Sequence, residues 1–438
     1  MAHTFSGGIP FPHAVENKHL TNVLPLEEYT PRQVVIPLTQ GLCEPCVPVV
    51  EAGQKVAAGQ LVGRAEGPRG VPVHCGISGT VTAVEPRPIA GSECLCVIVD
   101  WDGGHTQAPA LQHQPGADGL RRLMREAGLI GMGGAGFPTA LKYESGRPIR
   151  LVLVNGCECE PYLTCDHALM LQKAEQVVAG AIAMGQAAGA VVKICVESNK
   201  LDAVERLRAA ARSSGIEVAQ LPAHYPQGGE RQLIQAAAGV EVPAGALPAD
   251  VGVLVSNAAT AAALADAIAG RPLTHRIVTV SGRVPRPANL LVPVGTLLSD
   301  LLDHCGGLPD APEGKKRRVV IAGGPMTGPE LDRLDVPVTK ATSGLIVLDQ
   351  PVTKETNCIR CGACARVCPS RLMPFAIDAA VIAGDLDTCA DYRAGQCIAC
   401  GCCSYICPAK RYLAARVSLS RIGLRARAAA QRKDGGSK

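Results

Sequence analysis

The chain has 438 residues, too many for one hydrophobic core, and about two to four domains are expected. Hydrophobic residues make up 47% and charged residues 19%, a globular balance, and a net charge of +4 argues against a general nucleic-acid binder. No run of about 18 apolar residues is present to span a membrane. The nearest, residues 177–192, is Ala/Gly-rich, carries Gln186, is flanked by Glu175 and Lys193, and reads as a packed core helix.

Residues 1–12 lack a basic region followed by an apolar stretch, so no signal peptide is expected. With 20 cysteines, a reducing compartment then fits better than a disulfide framework. Residues 1–30 are Pro-rich with little periodicity and read as an extended arm. Residues 31–105 read as short strands separated by Gly turns, at 34–38, 47–50, 61–63 and 80–84. Their phrasing resembles the barrel-sandwich hybrid of lipoyl and biotinyl carriers. The stretch 68–75, where a carrier lysine would stand, has none, so this domain reads as structural. Cys43 and Cys46 form a CxxC with no helix start to lower a thiol pKa, and no function is expected of them. Cys94 and Cys96 read as core, and His13, His19 and His74 as isolated.

From 115 to 270 strands and helices alternate. Apolar strands at 150–154, 191–196, 216–221 and 252–255, with a long helix from about 167 and another at 201–213, predict a parallel sheet covered on both faces. Four blocks punctuate it. Glycines 131, 133, 134 and 136, after a helical stretch at 118–127, allow close backbone approach and aim N–H groups at a ligand, and Lys142 follows with a positive charge. Phosphate suits such a nest, although the run is not the dinucleotide fingerprint, having no strand directly before it. Residues 155–161 and 256–260 each follow a strand, where parallel sheets bind ligands, and 225–230 form the remaining block. Residues 271–345 return to strands with one short helix at 296–305, a small α+β module of the ubiquitin-like, ligand-binding (SLBB) type.

Between 350 and 410 the chain writes Cys-x-x-Cys-x-x-Cys-x-x-x-Cys-Pro twice. This is the spacing of a ferredoxin domain with two [4Fe–4S] clusters, in which the fourth cysteine of each run serves the other cluster. Cluster 1 is therefore assigned to Cys358, Cys361, Cys364 and Cys407, and cluster 2 to Cys397, Cys400, Cys403 and Cys368. Zinc takes four ligands, usually in two pairs, and does not explain a tandem of three-plus-one runs. Cys402 is a spare thiol. Residues 411–438 form a basic tail in which Arg411, Arg416, Arg421, Arg425, Arg427, Arg432 and Lys433 alternate with Leu413, Val417, Leu419, Ile422 and Leu424. It reads either as an amphipathic helix that docks on a membrane or an acidic partner, or as a solvated tail.

In order and spacing the four blocks are similar to the NADH- and FMN-binding subunit of respiratory complex I. With the arm, the barrel-sandwich segment and the tandem ferredoxin motifs, nearly the whole chain resembles the C-subunit family of the Rnf (Rsx) ion-translocating electron transport complexes. The resemblance implies a multidomain α/β and α+β chain with a Rossmann-like FMN/NADH domain. It implies that Gly131, Gly133, Gly134 and Lys142 hold the FMN phosphate and ribityl chain. Asn155, Glu158, Tyr225, Asn257 and Thr260 would line the flavin, and Phe137, Glu160 and Glu230 would contact NADH. Where complex I has Arg, Asp and Trp this chain has Met132, Cys157 and Tyr143, which separates the two families. Tyr143, Cys157 and Cys159 read as packing.

A flavin accepts two electrons as a pair and releases them singly, which links NADH to one-electron clusters. The implied function is a peripheral electron-input subunit on the cytoplasmic face of the bacterial inner membrane. It would exchange electrons between NADH and ferredoxin together with membrane subunits. A soluble flavin and iron–sulfur NADH dehydrogenase, or a relay without nucleotide binding, are the alternatives.

Overall fold

The computed structural model describes residues 4–89, 92–310, 314 and 316–435. At its centre is a four-stranded parallel sheet of Leu151–Gly156, Val191–Glu197, Glu217–Leu221 and Val253–Asn257. Its spatial order places the third strand beside the second, the second beside the first, and the fourth on the first strand's other side. The chain thus changes its direction of travel between the first and fourth strands, and a crevice opens outside their carboxyl ends. Asn155 and Asn257 are direct register partners there.

Small residues explain the scarcity of aromatics. The helices Ala174–Ala188 and Ala258–Ile268 pack so closely that a Cβ on Gly180 would lie 1.7 Å from the Ala261 carbonyl oxygen. The long helix expected from about 167 is two helices, Cys165–Gln172 and Ala174–Ala188. Lys173 leaves helical geometry between them, at φ −126° and ψ 36°.

The barrel-sandwich segment forms two antiparallel sheets around Val34, Ile36, Val62, Val81, Val97 and Val99. Cys96 is buried in it, whereas Cys94 is only half-buried at its margin, so the core reading holds for Cys96 alone. The SLBB-type module is a five-stranded sheet with the helix Leu298–His304. The arm is more structured than an extended strand. It forms a short helix at His13–Glu16 and lends Leu26–Glu28 to that sheet, parallel to Ala288–Pro293.

The tail forms a helix, Leu413–Gly435, that packs on the ferredoxin module. Leu413 and Val417 are buried but Leu419 and Ile422 are exposed, so the apolar stripe is narrower than the sequence suggests. Several of its arginines turn inward. Arg411 and Arg416 bind Asp378 and Glu355, and Arg421 donates to the Cys397 carbonyl at 2.7 Å. They are not free for an external surface. The side chains of Arg432 and Lys433 lie outside the described residues. No helix among the described residues is long and apolar enough to cross a membrane.

Candidate functional site

A cavity of about 750 Å³ opens at the crevice of the parallel sheet, within the range of small-molecule sites. Gly131, Gly133, Gly134, Phe137, Lys142, Asn155, Glu160, Tyr225, Glu230, Asn257 and Thr260 all line it.

The glycine loop is held from three sides. The Met132 N–H donates to Thr260 Oγ1 at 3.0 Å, and Thr260 donates in turn to the Ile130 carbonyl at 3.1 Å. Arg276, almost fully buried, donates to the Met132 carbonyl at 2.9 Å. From the barrel-sandwich side, the Leu42 N–H donates to the Ala135 carbonyl at 3.1 Å, and Gly41 packs directly on Gly136. The Cys43 thiol donates to the Gly136 carbonyl at 3.5 Å, while Cys46 is buried in the barrel-sandwich core. Burial raises both thiol pKa values, Cys43 to about 11.

The cradle fits a flavin phosphate. A Cβ at Gly133 would lie 2.8 Å from Asn257 Nδ2, so the close approach requires glycine. Lys142 Nζ stands at the rim, 3.1 Å from both Glu230 Oε1 and the Val255 carbonyl. Thr139, 2% exposed and on the cavity wall, has a hydroxyl with no partner, a polar atom placed for a ligand. Asn155 braces the third block, donating to the Gly228 carbonyl at 2.9 Å. The Glu160 carboxylate accepts from the Met326 N–H at 2.9 Å and from the Thr327 hydroxyl, and burial pushes its pKa up. Cys159, expected as plain packing, lies on the wall with its sulfur accepting from the Gly228 N–H at 3.3 Å. Cys157 is buried core, as is Tyr143, whose hydroxyl lies 3.0 Å from Ser256 Oγ.

Glu158 does not join them. Its backbone is left-handed, at φ 47°, and its carboxylate accepts the Asp166 and His167 N–H groups at 2.7 and 3.1 Å. A carboxylate is favoured there because the first N–H groups of a helix have no internal partner. Two buried lysines that sequence reasoning missed pin the same loop. Lys18, from the arm, donates to the carbonyls of Glu158, Glu160 and Leu163 at 2.8, 2.8 and 2.6 Å. Lys200 donates to the Cys157 carbonyl at 2.7 Å and pairs with Glu197. Neither sits in a motif, so no sequence signal marked them.

The cysteines gather as two sets. Cys358, Cys361, Cys364 and Cys407 ring one hollow of about 20 Å³, and Cys368, Cys397, Cys400 and Cys403, with the spare thiol Cys402 beside them, ring another of the same size. All are free thiols. The two loops repeat the same backbone, with left-handed residues at Arg360 and Ala399, then at Gly362 and Gly401. Backbone N–H groups approach sulfur in both, Arg360 to Cys358 at 3.4 Å and Ala399 to Cys397 at 3.3 Å. Four thiols around one small hollow fit a cubane cluster. The sets differ in surroundings. Cys358 and Cys361 are exposed, whereas Cys400 and its neighbour Ile398 lie on the wall of the large cavity. There the Tyr225 hydroxyl donates to the Cys400 carbonyl at 2.7 Å.

A nucleotide-sized crevice that shares a wall with a ring of four cysteines defines an electron-transfer protein joining a nucleotide-type cofactor to iron–sulfur centres. The family descriptions agree domain by domain. Residues 3–104 match the RnfC barrel sandwich hybrid domain, 124–266 the Nuo51 FMN-binding domain, 277–330 the SLBB domain and 351–371 a 4Fe-4S binding domain. The chain is 42% identical to the C subunit of the Na+-translocating ferredoxin:NAD+ oxidoreductase complex of Acetobacterium woodii, covering 85% of this chain and 86% of that one. It is 36% identical to the C subunit of the proton-translocating ferredoxin:NAD+ oxidoreductase complex of Clostridium ljungdahlii, with 85% and 83% covered. It is 37% identical to the C subunit of the ion-translocating oxidoreductase complex of Rhodobacter capsulatus, with 88% and 76% covered. The NAD+-reducing [NiFe]-hydrogenase in its air-oxidized state gives a partial likeness, 24% identical, with a TM-score of 0.48 over 63% of this chain and 54% of that chain. The chain belongs to the C-subunit family of ion-translocating oxidoreductase complexes, and it is an electron-input subunit with FMN-binding and 4Fe-4S domains.

Proposed function

We propose that this subunit exchanges electrons between NADH and, through its partner subunits, ferredoxin, working peripherally at the cytoplasmic face of the membrane. One observation carries the reading: Cys400 and the glycine loop line the same cavity. Gly131, Gly133, Gly134 and Lys142 hold the phosphate end of FMN. Asn155, Tyr225 and Asn257 line the rest, with Thr260 setting the loop from behind. Phe137, Glu160 and Glu230 stand where a nicotinamide dinucleotide would enter, with Glu160 fixed by the 326–327 turn. FMN supplies the conversion of a hydride pair into single electrons. The protein supplies placement, and no acid–base pair is required for hydride transfer.

The cysteines Cys368, Cys397, Cys400 and Cys403 form the inner cluster, next to the cavity. Cys358, Cys361, Cys364 and Cys407 form the outer one. Lys354, Arg360, Arg366 and Lys410 are exposed around the outer set, with Ile359 67% and Tyr412 59% exposed beside it. None of these four cations is in an ion pair among the described residues, which suits an acidic partner carrying a one-electron centre. Rapid anaerobic mixing with NADH tests the order. Flavin absorbance is expected to bleach before the iron–sulfur absorbance falls. Cluster reduction that precedes or bypasses flavin bleaching overturns the reading.

A further inference from the structure

We propose that the N-terminal segment 5–11 is a positioning strap that fixes the inner cluster loop against the flavin cavity and sets the gap electrons cross. This rests on the function proposed above. The strap bonds to both bodies within a few residues. The Gly8 N–H donates to the Val367 carbonyl at 2.9 Å, in the turn leading to Cys368. Ile9 and Tyr225 exchange backbone hydrogen bonds in both directions, at 2.8 and 3.0 Å. His224 Nε2 lies 2.6 Å from the Gly7 carbonyl oxygen, and Arg371 donates to Ser6 Oγ at 3.0 Å.

Two consecutive glycines make this possible. Gly7 and Gly8 are left-handed, at φ 73° and 83°. A Cβ on Gly7 would lie 2.7 Å from the Cys368 carbonyl, and one on Gly8 would lie 2.5 Å from the Tyr225 carbonyl oxygen. A side chain at Gly7 therefore pushes the strap off the Val367–Cys368 turn, and one at Gly8 pushes it off His224 and Tyr225. Behind the glycines, Ile9, Tyr225 and Cys402 form a small buried cluster with Phe11, Cys159, Met326, Val367 and Cys400. The Phe11 ring lies 5.6 Å from that of Tyr225 and 5.2 Å from that of Tyr405. Cys402, outside the eight motif ligands, is fully buried and bridges this joint to the wall of the inner cysteine hollow.

The strap lines neither the large cavity nor the two cysteine hollows. Loosening it changes spacing and leaves both ligand sets intact. Gly7→Val and, separately, Phe11→Ala in the full chain test this. Flavin and iron contents are expected to stay at wild-type levels, and flavin bleaching by NADH to keep its rate. Transfer from flavin to cluster should slow severalfold in both variants. Amide exchange at residues 367–372 should quicken in step. Cluster reduction at the wild-type rate in both variants overturns the proposal, as does loss of iron in both, which would make the strap an assembly element. If wild-type flavin proves inert to NADH, the nucleotide reading alone falls, because light-driven flavin reduction starts the same internal transfer.

Discussion

Asp166 is 7% exposed, and one carboxylate oxygen, Oδ1, has no partner while Oδ2 accepts from Asn257 Nδ2 at 2.7 Å. Burial, then the nearby Glu158 charge, raise its pKa to about 6, against the pull of Arg276, the Asn257 bond and Lys200. Between pH values of about 4 and 6 the folded chain keeps a proton that the unfolded chain has shed. Stability therefore falls as pH rises through that window, and the penalty is complete above it. Asp166→Asn removes the penalty. Denaturant unfolding should find the variant more stable by about 3 kcal/mol at pH 7 and little different near pH 4; a constant difference at both pH values contradicts it. Lys142 gives a second residue-scale test. Lys142→Ala removes the only lysine on the cavity wall among the described residues, and FMN affinity measured by fluorescence should weaken by about 10- to 100-fold. Equal affinity would place the phosphate elsewhere. At this scale the glycines and Asn155 and Asn257 were legible, because loop composition and strand ends are local. The helix-capping placement of Glu158 was not legible, because its side-chain direction depends on a left-handed backbone and on a helix start several residues away.

Among the elements, the C-terminal helix departs furthest from its sequence reading. Its charges looked available, yet Arg416, together with Arg411 just before the helix, converges on Asp378, which is 2% exposed in its side chain. Removing one member of a buried ionic cluster strands the others. Asp378→Ala should cost about 3 kcal/mol and lower the temperature at which the ferredoxin module releases iron. An unchanged release temperature would show the helix to be an independent appendage. The helix itself was legible, since its spacing is local, but its partners lie tens of residues upstream. The same limit hid the strand Leu26–Glu28 and the strap. Their partners, near 290, 225 and 367, are set by tertiary packing that no local pattern records. The break at Lys173 carried no Gly or Pro to announce it.

The whole molecule is polarised. One cysteine set adjoins the cavity; the other reaches solvent at Cys358 and Cys361, near the exposed cations Arg360, Arg366 and Lys410, none of them ion-paired among the described residues. The pairing of each fourth cysteine with the other run was readable from spacing alone, because ligand geometry is a short-range constraint. Which set adjoins the large cavity was not, because it depends on how domains dock. The charge asymmetry makes a prediction at this scale. Arg360→Glu with Lys410→Glu should slow electron delivery to an acidic two-cluster ferredoxin, used as a probe, by about tenfold at low ionic strength. The difference should shrink at high salt while flavin bleaching by NADH stays unchanged. Equal rates at low salt would move the exit elsewhere. The most direct measurement is an anaerobic NADH titration of the purified, cofactor-loaded chain, following flavin absorbance and the paramagnetic signal of reduced clusters together. About eight irons per chain, flavin that bleaches on NADH addition and cluster signals that grow with it are the expected result. Bleached flavin beside clusters that stay silent throughout would contradict a cavity wired to its cysteines.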